Sequence, residues 1–169
     1  MKKLLFLFCL LSWSVLHAQK TINRPPFIAK ATETIEIAAI HLSDTATVVD
    51  VDAKFIPKNW IRIAPATCLV ADNGERYQVR QGVGIELGQE FWMPESGEAT
   101  FSLIFPPLPA SVKSFDFVEG EGERDFNLFG ISLIGKLPKL QLPKDLGKAG
   151  KATAVALPTP EIKEGTAII

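Results

Sequence analysis

From Phe27 to Phe55 apolar and polar positions follow one another with a period of two, the period of a strand with one buried face. Thr34-Ile35-Glu36-Ile37 alternates strictly, and Thr47-Val48-Val49-Asp50-Val51-Asp52-Ala53 does so approximately. Leu42-Ser43-Asp44-Thr45 between them supplies turn-forming residues. Pro57-Lys58-Asn59 breaks the second strand, and Trp60-Ile61-Arg62-Ile63 starts a third. Cys68-Leu69-Val70-Ala71, Asp72-Asn73-Gly74 and Arg76-Tyr77-Gln78-Val79 together predict a hairpin, because Asn-Gly tolerates the positive φ angles of a type I′ turn. Gly82, Gly84 and Gly88 weaken the next stretch as regular structure. Ala99–Phe105 alternates again and is ended by Pro106, Pro107 and Pro109. Ser114–Val118, an acidic glycine-containing loop over 119–125, and Asn127–Ile134 complete the pattern.

This pattern predicts seven or eight short strands and no helix of ten or more residues. Short strands with a turn signal about every 8–12 residues predict an all-β fold. The expected architecture is an antiparallel β-sandwich over residues 27–135, Ig-like in the broad sense. Its two sheets are expected to bury Ile35, Ile37, Val49, Val51, Ile61, Ile63, Val79, Phe101, Leu103, Phe115, Phe117, Leu128 and Ile131. At about 1.5–3 kcal/mol per fully buried large side chain, that core sustains a small domain without disulfides.

The ends break the pattern. Lys2 and Lys3 precede an apolar run from Leu4 to Leu16, and Leu16-His17-Ala18 places a small residue before Gln19. This is the layout of a cleaved signal peptide over 1–18; the run is shorter than the roughly 20 apolar residues of a membrane-spanning helix. Lipidation at Cys9 is the weaker alternative, because Phe8 stands where a lipobox wants a small residue. Residues 19–26 are polar, end in two prolines, and predict an extended lead-in. Residues 136–164 read as a Pro/Lys/Ala-rich linker, a tail without a single aromatic. Gly165-Thr166-Ala167-Ile168-Ile169 resembles the start of another strand, so a further domain is expected beyond it.

Export alters the charge and thiol inventory. Removing the leader leaves about 150 of the 169 residues and takes two of the 18 basic side chains, against 19 acidic ones. A net charge of about −3 argues against nucleic acid, which needs a basic face, and against a polybasic membrane patch. Nothing after residue 18 is long and apolar enough to span a membrane as a helix. Cys9 leaves with the leader, so Cys68 is a lone free thiol with no internal disulfide partner. Beside Leu69 and Val70 it is expected to be buried and inert.

The candidate chemistry is thin. His41 is the sole histidine of the mature segment; a hydrolytic arrangement with Asp44 and Ser43 is weighed against a surface histidine at a strand end, and the latter is preferred. One histidine and one cysteine do not make a zinc site, which takes about four donors. Asp116, Glu119, Glu121, Glu123 and Asp125 offer oxygens for Ca²⁺, yet without the regular loop spacing they read better as a solvated loop. Asp50 and Asp52, two residues apart on one strand, read as a wet outer face rather than a glycosidase acid pair. Trp60, Tyr77, Phe91 and Trp92 are the candidate binding residues: an aromatic platform for a glycan or peptide, weighed against core packing or docking onto a following domain. Of the adjacent Phe91 and Trp92, an extended backbone points one outward.

Five stretches carry a family resemblance: Ile40-His41-Leu42-Ser43-Asp44-Thr45-Ala46-Thr47, Asn59-Trp60-Ile61-Arg62-Ile63, Glu90-Phe91-Trp92-Met93-Pro94-Glu95-Ser96-Gly97-Glu98-Ala99, Phe105-Pro106-Pro107-Leu108-Pro109 and Phe115-Asp116-Phe117-Val118-Glu119-Gly120. Over residues 25–136 the chain resembles the N-terminal region of exported Bacteroidota proteins that carry, further downstream, a thioredoxin-like domain of the membrane-tethered thiol-disulfide reductase type. The resemblance implies an accessory sandwich ahead of a redox domain. Export alone does not choose between the periplasm, the outer surface and the outside, and the resemblance favours the periplasm of a Gram-negative cell. It transfers no catalytic residue, because the Cys-x-x-Cys pair of that chemistry is missing here. The expectation is thus a non-catalytic accessory or interaction domain without a cofactor, whose partner is a following domain or another protein. A stand-alone glycan- or peptide-binding module is the alternative.

Overall fold

The computed structural model describes residues 19–120, 122 and 125–137. The expected leader over 1–18, the linker from residue 138 onward and the strand-like 165–169 lie outside the described residues. The described chain is an antiparallel β-sandwich without helix. Its strands are β1 (Lys20–Asn23), β2 (Ala29–Lys30), β3 (Ile35–Leu42), β4 (Thr47–Lys54), β5 (Trp60–Ile61), β6 (Cys68–Ala71), β7 (Arg76–Gln78), β8 (Gln81–Val83), β9 (Phe91–Trp92), β10 (Glu98–Phe105), β11 (Ser114–Val118) and β12 (Leu128–Ser132). One sheet runs β1-β3-β4-β10-β8 and the other β2-β12-β11-β6-β7; β5 and β9 form a separate two-stranded ribbon.

Alternation places the core. Thr47, Val49, Val51 and Ala53 of β4 point inward, as do Phe101, Leu103 and Phe105 of β10, while Val48, Asp50, Asp52 and Lys54 take the other face. All thirteen apolar positions expected in the core are buried. Phe105 from the first sheet meets Phe117 from the second edge-on, with ring centroids 6.4 Å apart. Buried Thr47 is satisfied by accepting the Leu108 N–H at 3.0 Å, and no buried side-chain nitrogen or oxygen among the described residues lacks a partner.

Four features differ from the sequence reading. Twelve strands replace seven or eight, because pieces of two to four residues extend the ladders. Residues 20–23, within the expected lead-in, form the edge strand β1, with Lys20 opposite Leu42 and Asn23 opposite Ala39. The hairpin forms, but its turn is not type I′. Ala71 N–H donates to Glu75 O, Gly74 N–H donates to Ala71 O, and Gly74 alone takes a positive φ, of 85°. The loop is the three-residue kind, a turn followed by a left-handed glycine, which needs no positive φ at Asn73. Finally, β3 is not strictly periodic. A bulge between Ile37 and Ala39 shifts the phase, so Ile35, Ile37 and Ile40 all face the core and His41 turns outward.

Candidate interaction surface

The ribbon β5–β9 carries three of the four candidate aromatics and sets two of them opposite one another. Trp60 stands directly opposite Trp92, and Ile61 opposite Phe91. Met93 N–H donates to Asn59 O at 2.8 Å, so the Asn59–Met93 rung carries a hydrogen bond. The next rung, Trp60–Trp92, is then of the non-hydrogen-bonded kind, in which facing side chains stand closest. Alternation turns Ile61 inward, where it is buried, and Phe91 against Phe101, with centroids 6.4 Å apart. Both indoles face solvent: Trp60 is 42% and Trp92 59% exposed.

The sequence around the pair holds it in place. Lys58 N–H donates to Met93 O and Asn59 N–H to Ile56 O, closing the turn that feeds β5. Lys58 takes a positive φ of 60° there, uncommon for a residue with a side chain. On the other strand, Met93 is buried and Gly97 N–H closes a turn onto Pro94 O. Gly97 has φ of 70°, and a Cβ on it would lie 2.6 Å from Phe55 O. Lys58, two residues before Trp60, and Glu95, three after Trp92, pair at 2.8 Å.

The remaining candidates lie elsewhere. Tyr77 sits on β7 at the edge of the second sheet, opposite Leu69, on the core-facing side. It packs against the core and donates its hydroxyl to Glu75 at 2.5 Å. That bond holds the phenol above its ordinary pKa and the Glu75 carboxyl below its own. Cys68 is buried and alternates with inward-facing Leu69, so it lies under the outer side of the sheet, where Arg76 Nη2 donates to its sulfur at 3.2 Å.

His41 meets neither Ser43 nor Asp44 in the way the hydrolytic arrangement supposed. Its Nε2 lies 2.8 Å from Asp50 Oδ2 and its Nδ1 3.0 Å from Thr21 Oγ1, while Ser102 Oγ donates to Asp50 Oδ1 at 2.7 Å. An ionised Asp50 accepts only, so Nε2 carries a proton; in the neutral imidazole Nδ1 then accepts from Thr21. Burial alone would raise the Asp50 carboxyl, but the bonds from Ser102 and His41 outweigh it and hold the group below its ordinary range. Ser102 serves the carboxylate and not the imidazole, so no Ser-His-Asp relay exists here. The four residues come from β1, β3, β4 and β10, neighbours in one sheet, and the chain of bonds stitches those strands together.

Of the acidic candidates, Asp116, Glu119 and Asp125 are likewise spoken for by backbone, and Glu121 and Glu123 lie outside the described residues. Asp116 accepts the Gly130 N–H at 2.6 Å, and Asp125 that of Gly122 at 2.7 Å. Glu119 accepts from Ala64 at 2.7 Å and from Phe126 at 2.8 Å. Burial raises the Glu119 carboxyl despite those two bonds. Among the described residues no three His, Cys, Asp or Glu side chains gather as metal ligands, and no helix is long and apolar enough to cross a membrane.

Sequence reasoning selected the two tryptophans but could not pair them, since 32 positions separate Trp60 from Trp92. It missed the Lys58–Glu95 pair and the Thr21-His41-Asp50-Ser102 chain, for which the outward phase of Asp50 was the one available signal. No family model, curated protein or solved structure matches the chain.

Proposed function

We propose that this chain is a non-catalytic accessory domain of an exported protein, and that it makes its outside contacts through the Trp60–Trp92 face. One observation carries the reading: two tryptophans stand side by side and open to solvent, in a domain whose Phe101, Phe105, Phe115 and Phe117 are all buried. Large exposed aromatics held on a rigid ladder mark contact surfaces. The leader-like residues 1–18 support export, with the periplasm as destination, and the resemblance to the front region of thioredoxin-like Bacteroidota proteins supports a multidomain context.

The Trp60→Ala/Trp92→Ala double variant of the mature chain tests the contact reading. Displayed indoles predict a thermal midpoint within a few degrees of the parent. A loss of about 3 kcal/mol or more, the range of buried aromatic truncations, would make the pair structural and remove the reading. The gene beyond codon 169 tests the context: an in-frame domain with a Cys-x-x-Cys motif is expected.

A further inference from the structure

We infer that the Trp60–Trp92 face binds an uncharged saccharide chain, an inference that rests on the pair being a contact surface. The first ground is shape. Facing Cβ atoms on such a rung lie about 4.5–5.5 Å apart, so the two exposed indoles rise from neighbouring points on one face of the ribbon. Indole faces are flat and electron-rich, and they complement the C–H-lined faces of pyranose rings.

The second ground is charge. Toward one end of the platform Lys58 pairs with Glu95 at 2.8 Å. Arg62 and Glu90 follow along the two chains, both exposed, and Arg62 also acts on the Glu119 carboxylate, favouring its ionised form. The Lys58–Glu95 end offers a hydrogen-bond donor and an acceptor with no net charge. A polyanion would meet Glu95 there, and a polycation Lys58. Hydroxyl groups donate and accept at once and suit both partners.

The third ground is area. A fully exposed tryptophan offers up to about 250 Å², so indoles 42% and 59% exposed offer about that much between them. A stable protein contact takes about 800 Å² from each partner. A globular partner would have to cover the charged flanks as well, whereas a thin chain lies along the platform alone. The platform is also preorganised: Ile61 and Met93 are buried beneath it, and Phe91 is braced on Phe101.

The chain's three tryptophans are Trp13, Trp60 and Trp92, so emission of the mature protein comes from the pair alone. The test titrates it with cellohexaose, xylohexaose, mannohexaose and laminarihexaose. An oligogalacturonate is the charged control and an extended Leu/Phe-containing peptide the peptide control. At least one neutral hexasaccharide is expected to shift the emission saturably. Trp92→Ala is expected to weaken that binding about tenfold or more, a loss of one stacking contact, with Trp92→Phe intermediate and Tyr77→Phe unchanged. Silence from all four neutral probes, or a response to the peptide or the polyuronate alone, overturns the inference. Acrylamide quenching of the free protein separates the two levels. Shielded emission would mean the pair is not a contact surface at all; open emission without a saccharide response would sink only the saccharide inference.

Discussion

Asp50 shows how one carboxylate is assigned a job by its neighbours. Ser102 and His41 both hydrogen-bond its ionised form, and together they overcome the upward pull of burial. A lowered pKa in the fold means that the unfolded chain binds more protons at this residue over the intervening pH range. The stability Asp50 contributes is therefore in place above its unfolded value of about 4 and is lost as pH falls through the lower folded value. Glu119 has the opposite sign: burial raises it, so its ionised form weighs on the fold at neutral pH and that burden lifts on acidification. Acid thus relieves Glu119 first and undoes Asp50 afterwards. Urea midpoints of the parent and Asp50→Asn, measured from pH 7 to pH 2.5, should stay separated down to about pH 4 and converge below it. A constant gap across that range would place the acid sensitivity on other groups.

At the scale of elements, the short ribbon is the least self-sufficient part, because β5 and β9 are two residues each. An isolated two-stranded piece is marginal at best in water. The turn at Pro94–Gly97 and the bond from Phe55 N–H to Gly97 O fasten it to the sandwich. Gly97→Ala forces a side chain into the left-handed region and drives its Cβ to 2.6 Å from Phe55 O. The expected loss is about 2 kcal/mol or more, several degrees in thermal midpoint, with changed Trp92 emission. Gly74→Ala is the control: its φ is also positive, but a Cβ there meets nothing within 4 Å, so about 1–2 kcal/mol of backbone cost is all that remains. Equal losses in the two variants would show that the close approach at Gly97 does not matter.

The same elements show what a sequence can and cannot disclose. The long strands were legible because Val49, Val51, Phe101 and Leu103 repeat every second residue, and burying one face leaves little choice of phase. β1 was not, because Lys20-Thr21-Ile22-Asn23 has no apolar alternation and is held as an edge by partners far along the chain, including Lys20 Nζ on Leu133 O at 2.7 Å. The bulge in β3 was not legible either, and it alone decides that His41 reaches Asp50 instead of the core. The candidate surface was half legible: the residue types were conspicuous, but register between distant strands is a property of the finished sheets. Tyr77 resembled the tryptophans in sequence and was separated from them by falling on the inward phase of another sheet.

The molecule as a whole depends on the seam between its two sheets. Cys68 is buried and is the one cysteine among the described residues, so no disulfide within them limits the unfolded domain. What holds sheet to sheet is apolar contact, and its centre is visible in one pair: Phe105 and Phe117, both fully buried, with rings 6.4 Å apart and inclined at 79°. Each comes from a different sheet, so their direct interaction exists only if the sandwich closes at that point. Phe105→Leu and Phe117→Leu keep apolar bulk while removing the edge-to-face geometry. Each should destabilise the domain, and the double variant should lose less than the sum of the two. The expected coupling is about 0.5–1.5 kcal/mol, the range of such aromatic pairs. A parallel cycle between Phe117 and exposed Phe129, 38% accessible, should be close to additive. Additivity at Phe105–Phe117 itself would mean that the two sheets do not meet there in solution. The rigidity under the Trp60–Trp92 platform would then have lost its foundation, since Phe91 is braced on Phe101 of the same strand as Phe105.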